Sequence, residues 1–341
     1  MPRSLSRRPR VLLAMAPDTA AALFDASSMT RLVTVADIDP TFVVDDLGDP
    51  ASVVALSAAE VLLTGWGAPV LDADALAAAP RLRAVVHAAG SVRRHITEAC
   101  WRRGLHITSA AWANALPVAE YAVAMIVFAN KRLFRIRQFY RENRGIQPDL
   151  RQLYAGAGNY HRTVGIVGAS RIGRRVLELL RAYDLDVLLY DPYATPSQAA
   201  SLGAQLVGLD ELCRRSDVVS LHAPQLPETR HLIDAPRLAT LPDGATLINT
   251  ARGALVDQDA LIAELSTGRI DAVIDVTDPD LLPGDSPLYD LPNVFLTPHV
   301  AGSLGTELQR LATASIDEIE RYAAGLPFAH AIRQEDLEYT A

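Results

Sequence analysis

The chain has 341 residues and a formal net charge of −8, with half its residues hydrophobic and 21% charged. That length predicts two domains, and an acidic balance with dispersed arginines excludes nucleic acid as a main partner. Two cysteines, Cys100 and Cys213, offer neither a disulfide framework nor a metal-ligand spacing, so no metal is expected.

Ser6-Arg7-Arg8 precedes a short apolar run that Pro17-Asp18 interrupts. It is too short for an export signal and reads as a first strand. With no run approaching the ~20 apolar residues of a membrane span, a cytoplasmic protein without a membrane partner is expected. Strands are predicted over 11–15, 31–35, 61–64, 83–86 and 106–108, and helices over 19–26, 73–79 and 97–103, with Gly104 as a C-cap. This alternation predicts right-handed βαβ crossovers and a parallel sheet.

At Leu116 the character changes. Residues 117 to about 140 read as one long helix with Pro117 near its start and an apolar face of Val118, Tyr121, Ala122, Met125, Ile126 and Phe128. Residues 141–160 read as a surface loop. The stretch TVGIVGASRIGRRVLELL then gives a buried strand over 163–167, a Gly-rich turn, and an amphipathic helix from Arg171 to Leu180. Such a turn aims backbone N–H groups outward at a helix N-terminus, where the macrodipole favours an anion. A second strand over 186–190 ends at Asp191, 23 residues after Gly168, close to the spacing at which a dinucleotide fold sets a carboxylate on the adenosine ribose. Further strands are predicted over 218–222, 246–250, 272–276 and 294–297, and a final helix over 304–322. Little chain follows Gly325, so no appended regulatory domain is expected.

The segments SLHAPQLPET (220–229), LINTARGALVD (247–257), AVIDV (272–276) and LPNVFLTPHVAGS (291–303) follow the Gly-rich turn in order. With it they resemble the D-isomer-specific 2-hydroxyacid dehydrogenases, continuously from about residue 80 to 325; the N-terminal part agrees in pattern only. The resemblance implies an α/β fold of two Rossmann-like or flavodoxin-like lobes with parallel sheets and the cofactor, NAD, in the cleft between them. Residues 1–115 plus 305–341 would form the substrate (catalytic) domain and 116–304 the NAD-binding domain, in a homodimer built partly on the long helix. The implied activity is NAD-dependent interconversion of a small-molecule D-2-hydroxy acid and its 2-oxo acid. Some relatives of the fold serve as dinucleotide-sensing corepressors, which stays open as an alternative.

Residue by residue, Arg252 matches the arginine that holds the substrate carboxylate and carbonyl, for which a planar guanidinium fork is suited. His299 matches the catalytic acid/base, and imidazole can both take and deliver the hydroxyl proton near neutral pH. The family glutamate that pairs with this histidine is replaced by Asp280, one methylene shorter. Gly168 and Gly173 match the first and third turn glycines, and Ser170 replaces the second, adding a hydroxyl able to bond phosphate. Arg171 and Ile172 would cover the pyrophosphate. His222, Pro224, Thr250 and Ala251 would line the nicotinamide side, with Asp275 accepting from the carboxamide; His222 is also the second candidate for the catalytic histidine. Ala89 and Gly90 match the loop whose N–H groups take the substrate carboxylate. Beyond them Val92, Arg93, Arg94 and His95 stand where acidic or amide residues are usual. These basic residues either select a second anionic group on the substrate or form a solvated helix start.

Overall fold

The computed structural model describes residues 8–146 and 149–338. They form two compact units: one holds the described residues through Asn114 together with those from Ser303, and the other is Ala115–Gly302. In chain order the first unit contributes β1 (Val11–Ala14), α1 (Pro17–Leu23), α2 (Ala26–Val35), β2 (Val43–Val44), α3 (Pro50–Ala58), β3 (Val61–Thr64), α4 (Ala73–Ala78), β4 (Ala84–His87), α5 (Glu98–Arg102) and β5 (His106–Ser109). Helix α6 (Ala111–Asn130) leads into α7 (Leu133–Glu142), α8 (Leu150–Leu153), β6 (Arg162–Val167), α9 (Arg171–Leu180), β7 (Leu185–Tyr190), α10 (Pro196–Ser201) and β8 (Gln205–Leu206). Then come α11 (Leu209–Arg215), β9 (Val218–Leu221), α12 (Ala235–Thr240), β10 (Thr246–Asn249), α13 (Gln258–Ser266), β11 (Asp271–Ile274) and β12 (Val294–Leu296), before α14 (Leu308–Ala323) and β13 (Ala331–Ile332) return to the first unit.

The first sheet runs β2-β1-β3-β4-β5 in parallel, a flavodoxin-like order, with β13 antiparallel on the β5 edge. Its strands are buried on both faces. Leu13, Leu63 and Val86 pack with Leu32 of α2 and Ile316 of α14, while Leu12, Leu62 and Val85 pack with Leu56, Leu76 and Cys100. The second sheet runs β8-β7-β6-β9-β10-β11-β12, all parallel. Numbered from β6, its first six strands follow the 3-2-1-4-5-6 order of a dinucleotide-binding fold. Ile166, Leu189 and Ile248 pack with Ile126 of α6 and Val176 of α9; Leu188, Val219 and Leu247 pack with Leu212, Leu238 and Leu265 on the other face.

Five expectations are corrected. Residues 31–35 are the end of helix α2, not a strand: the Asp25 carboxylate caps the helix by accepting Ser28 N–H at 2.7 Å, and Leu32 and Val35, three apart, share its buried face. Arg31 on that helix donates to Glu320 Oε1 at 2.8 Å and to Asp317 Oδ1 at 2.6 Å. The helix expected from 117 begins at Ala111, which puts Pro117 inside it, and stops at Asn130. There Arg132 adopts φ +55°, a left-handed turn that lets its guanidinium reach the Gly244 carbonyl and lie 3.5 Å from Asp271, which also accepts from Arg135 Nε at 2.6 Å. Burial raises the Asp271 carboxyl above the usual range against the pull of the two guanidiniums. The expected loop at 141–160 contains α8, and β13 makes the first sheet mixed. By length and composition α6 is apolar enough to cross a membrane, contrary to the expectation that no run is, yet Ala119, Ala122, Ile126 and Ala129 are core residues of the second unit.

Candidate active site

The parallel pairing sets Val167, Tyr190, Leu221, Asn249, Ile274 and Leu296 level with one another across the second sheet. The residues one step beyond are therefore Gly168, Asp191, His222, Thr250, Asp275 and Thr297. They line the C-terminal edge, with the strand order reversing between β6 and β9. That is where open α/β sheets bind ligands.

The Gly-rich turn is built for close approach. Gly168 has φ +98°, and a Cβ there would stand 2.8 Å from the Ala223 nitrogen. A Cβ on Gly173 would stand 2.0 Å from the Gly168 carbonyl oxygen, so the first turn of α9 can meet the strand end only as glycine. Ser170 caps α9, its Oγ accepting Gly173 N–H at 3.3 Å. Among the described residues the N–H groups of Ser170, Arg171 and Ile172 find no acceptor, which leaves a set of donors at a helix N-terminus for an anion such as a pyrophosphate. Asp191 is half-buried, accepting Ala169 N–H at 2.7 Å and Tyr193 N–H at 2.8 Å, which ties the end of β7 to the turn.

At the end of β9 the His222 ring is buried, with Nε2 3.0 Å from Ser220 Oγ, and burial pushes it down to about 3. An imidazole so far below neutrality stays neutral, with one N–H and one acceptor nitrogen, and is no general acid at neutral pH. Its Nδ1, like the buried Thr250 Oγ1 at the end of β10, has no partner among the described residues. Two unmet polar atoms along one sheet edge suit a bound amide and ribose, so these residues and the free N–H groups fit a nicotinamide dinucleotide. Ala251 is buried, and Pro224 contributes its carbonyl to Thr229 Oγ1 at 2.7 Å.

Arg252 sits in a turn clamped by Asn249, whose Oδ1 accepts Ala251 N–H at 3.1 Å and whose Nδ2 donates to the Arg252 carbonyl at 2.9 Å. The guanidinium donates to the Ala251 carbonyl at 2.6 Å. The following Gly253 is obligatory: a Cβ would lie 2.1 Å from the Thr277 carbonyl. Sequence reading missed Asn249, which was visible only as the N of NTARG.

His299 is exposed and left-handed, φ +57°, with its N–H donating to the Asp275 carbonyl at 2.9 Å. The buried Asp275 carboxylate organises the rest of that loop. It accepts Thr297 Oγ1 at 2.6 Å, Val300 N–H at 2.8 Å and Ala301 N–H at 2.9 Å. Since Thr297 donates to Asp275, Tyr121 donates its hydroxyl to Thr297 at 3.0 Å. This anchoring was not legible from a motif that suggests only a cofactor contact for Asp275. Asp280 lies exposed beyond β11, its carbonyl accepting Thr277 Oγ1 at 3.3 Å.

In the first unit Ala89 is buried and Gly90 half-buried just past β4. Among the described residues the N–H groups of Ala89, Gly90 and Ser91 meet no acceptor. The basic run beyond them divides. Arg93 and Arg94 are exposed, Arg93 donating to the Leu337 carbonyl, whereas His95 is buried and pushed down to about 4 by that burial. His95 is therefore neutral and no part of a cationic surface. Among the described residues no cluster of His, Cys, Asp and Glu is placed to hold a metal.

Residues 123–301 match the family model of the D-isomer specific 2-hydroxyacid dehydrogenase NAD-binding domain. The chain is 34% identical over 322 residues to D-3-phosphoglycerate dehydrogenase of Mycobacterium tuberculosis, covering 93% of this chain but 57% of that protein. It thus spans little more than half the length of the mycobacterial relative. It is 33% identical over 266 residues to glyoxylate reductase of Korarchaeum cryptofilum, covering 78% of this chain and 80% of the relative. Among solved structures, D-lactate dehydrogenase from Aquifex aeolicus complexed with NAD and lactic acid aligns with a TM-score of 0.70 at 27% identity, over 93% of this chain and 96% of that one.

Proposed function

Because this chain belongs to the D-isomer-specific 2-hydroxyacid dehydrogenase family, we propose that it interconverts a D-2-hydroxy acid and its 2-oxo acid with NAD(H). One observation carries the reading. Arg252 and His299 each stand three residues past level strand ends, on the edge that also holds the Gly-rich turn and the two orphaned polar atoms.

The N–H groups of Ser170, Arg171 and Ile172 would receive the pyrophosphate, Asp191 the adenosine ribose, and His222, Thr250 and Asp275 the nicotinamide end. Bound there, the cofactor accepts or supplies the hydride. Arg252 grips the substrate carboxylate and polarises the carbonyl oxygen. His299 takes the hydroxyl proton during oxidation and returns it to that oxygen during reduction. Asp280 would orient the His299 ring, in place of the family's glutamate. The N–H groups of Ala89 and Gly90 would bind the substrate carboxylate. The exposed Phe128 and Leu133 near the α6–α7 junction supply apolar surface for a homodimer.

The test is NADH oxidation with a panel of glyoxylate, pyruvate, hydroxypyruvate, phenylpyruvate, 2-oxoglutarate and a phosphorylated 2-oxo acid. Turnover with at least one, lost in Arg252→Ala and His299→Ala, is expected. Tight NADH binding without oxidation by any acid would replace this reading with that of a nucleotide sensor.

A further inference from the structure

Beneath the Ala89–Gly90 loop lies a buried polar cluster that the proposed reaction does not use. Thr64 ends β3 and His87 ends β4, level with one another; His95 closes the loop that follows. All three are at most 3% exposed. Thr64 Oγ1 stands 2.9 Å from His87 Nδ1 and 3.4 Å from His95 Nε2, and the two rings lie 4.5 Å apart. The hydroxyl has one proton, which goes to one of the rings or to the Val86 carbonyl 3.5 Å away, and its lone pairs accept from ring N–H groups, so Thr64 joins both imidazoles in either arrangement. Burial holds both imidazoles neutral, with His87 well below its usual value.

The same residue pins the loop through its backbone. The Thr64 carbonyl accepts Ala88 N–H at 2.7 Å, and the His95 carbonyl accepts Leu71 N–H at 2.8 Å. Thr64 therefore holds the start of the loop through Ala88 and His87 and its end through His95. Between these pins stand the free N–H groups of Ala89, Gly90 and Ser91. The second half of the loop is held by its own bonds, the Val92 carbonyl accepting His95 N–H at 3.3 Å and Ile96 N–H at 3.0 Å, whereas the N–H groups of 89–91 make none and depend on the pins at either end for their placement. Aliphatic side chains would fill the same core volume without the desolvation cost of two imidazoles. The polar cluster therefore calls for a role that packing alone does not supply.

We propose that Thr64, through His87 and His95, presets the Ala88–His95 loop so that its free N–H groups receive the substrate carboxylate. Thr64 is a positioning residue, and the inference rests on the dehydrogenase reading above. Thr64→Val removes the hydroxyl at nearly constant volume. With a 2-oxo acid that the parent protein reduces, Thr64→Val is expected to raise KM for the acid about tenfold, a loss of one interaction. The same variant should leave kcat and KM for NADH within about twofold, and Thr64→Ser should restore the parent KM. An unchanged KM for the acid, or no rescue by serine, overturns the proposal.

Amide hydrogen exchange in the 88–96 segment, with and without the unreactive mimic oxamate, reads the loop independently of turnover. The expected result is faster exchange in Thr64→Val and weaker oxamate protection. Parent-like exchange overturns the positioning role even if no acid is turned over. If the parent reduces no 2-oxo acid but the loop loosens in the variant, the reaction assignment fails and the positioning of the loop stands. Should Thr64→Val not fold, His95→Gln carries the same two measurements.

Discussion

Thr297 donates its hydroxyl to Asp275 Oδ1 at 2.6 Å, joining the strand end that carries the acid to the loop that carries His299. The same carboxylate takes two more donors from that loop, Val300 N–H and Ala301 N–H. Asp275→Asn replaces one acceptor oxygen with an amide N–H that must face another donor, at a cost of about 1–3 kcal/mol for a buried group. The expected outcome is a lower urea midpoint and kcat reduced about tenfold or more. Unchanged kcat and midpoint would remove Asp275 as the organiser of the His299 loop.

Gly173→Ala tests the contact between α9 and the strand end. Its Cβ meets the Gly168 carbonyl at 2.0 Å, and backbone atoms cannot yield as a flexible side chain does. Loss of NADH binding by fluorescence titration, with a stability cost of roughly 1–3 kcal/mol or more, is expected. Gly284→Ala, where nothing lies within 4 Å, serves as the control and should shift stability by no more than about 0.5 kcal/mol. Normal NADH affinity in Gly173→Ala would show that the turn adjusts freely.

Acid should weaken the fold through its buried imidazoles. The unfolded chain takes up their protons near pH 6.5, whereas the folded one does not do so until about 4 for His95 and about 3 for His222. Between those values the unfolded state binds more protons, so stability is full above 6.5 and falls as pH falls. From pH 7 to 5 each imidazole should remove about 2 kcal/mol. Urea titrations at several pH values measure the slope, and His222→Gln should lower it by one proton. An unaltered slope in that variant would show that His222 titrates alike in both states.

Asp191 bears on cofactor choice. Its carboxylate would repel a 2′-phosphate, and Pro192, Tyr193 and Ala194 supply no cation to receive one. We expect kcat/KM to favour NADH over NADPH, and Asp191→Ala to narrow the difference while loosening Ala169. A parent enzyme that prefers NADPH contradicts this.

Asp280 carries one methylene less than the family's glutamate. Asp280→Asn should lower kcat, and Asp280→Glu should preserve or raise it. Equal rates in parent and asparagine variant would leave His299 working without this carboxylate.

The fold class was readable because its signals are local. The apolar strands, the glycine turn and the residues that follow each strand recur at short range, and β6, α9 and the ends of β9 to β12 lie within two residues of their expected places. What sequence could not show depends on distant partners. Arg31 to Val35 looks like a strand until Asp25 caps the helix and Leu32 finds the first unit's core. Nothing near Arg132 announces that Gly244 and Asp271 will break the helix there. His95 stands in a basic run by neighbourhood, and only burial against Thr64 makes it neutral. Asn249, Thr297 and Tyr121 likewise acquire roles only through contacts that no spacing rule encodes.

The level strand ends also determine which genetic changes the site can absorb. A residue inserted into a loop beyond one strand end leaves the neighbouring strands' registers untouched. Deleting a residue inside β11 instead turns Asp275 to the opposite face, since strand side chains alternate with a period of two. Loop-length variants should therefore redirect substrate preference one strand at a time, whereas frame slips inside the sheet should be lost from any functional library. The architecture behaves as a row of separate sockets, each reached by a short segment of chain and each replaceable without rewiring the rest.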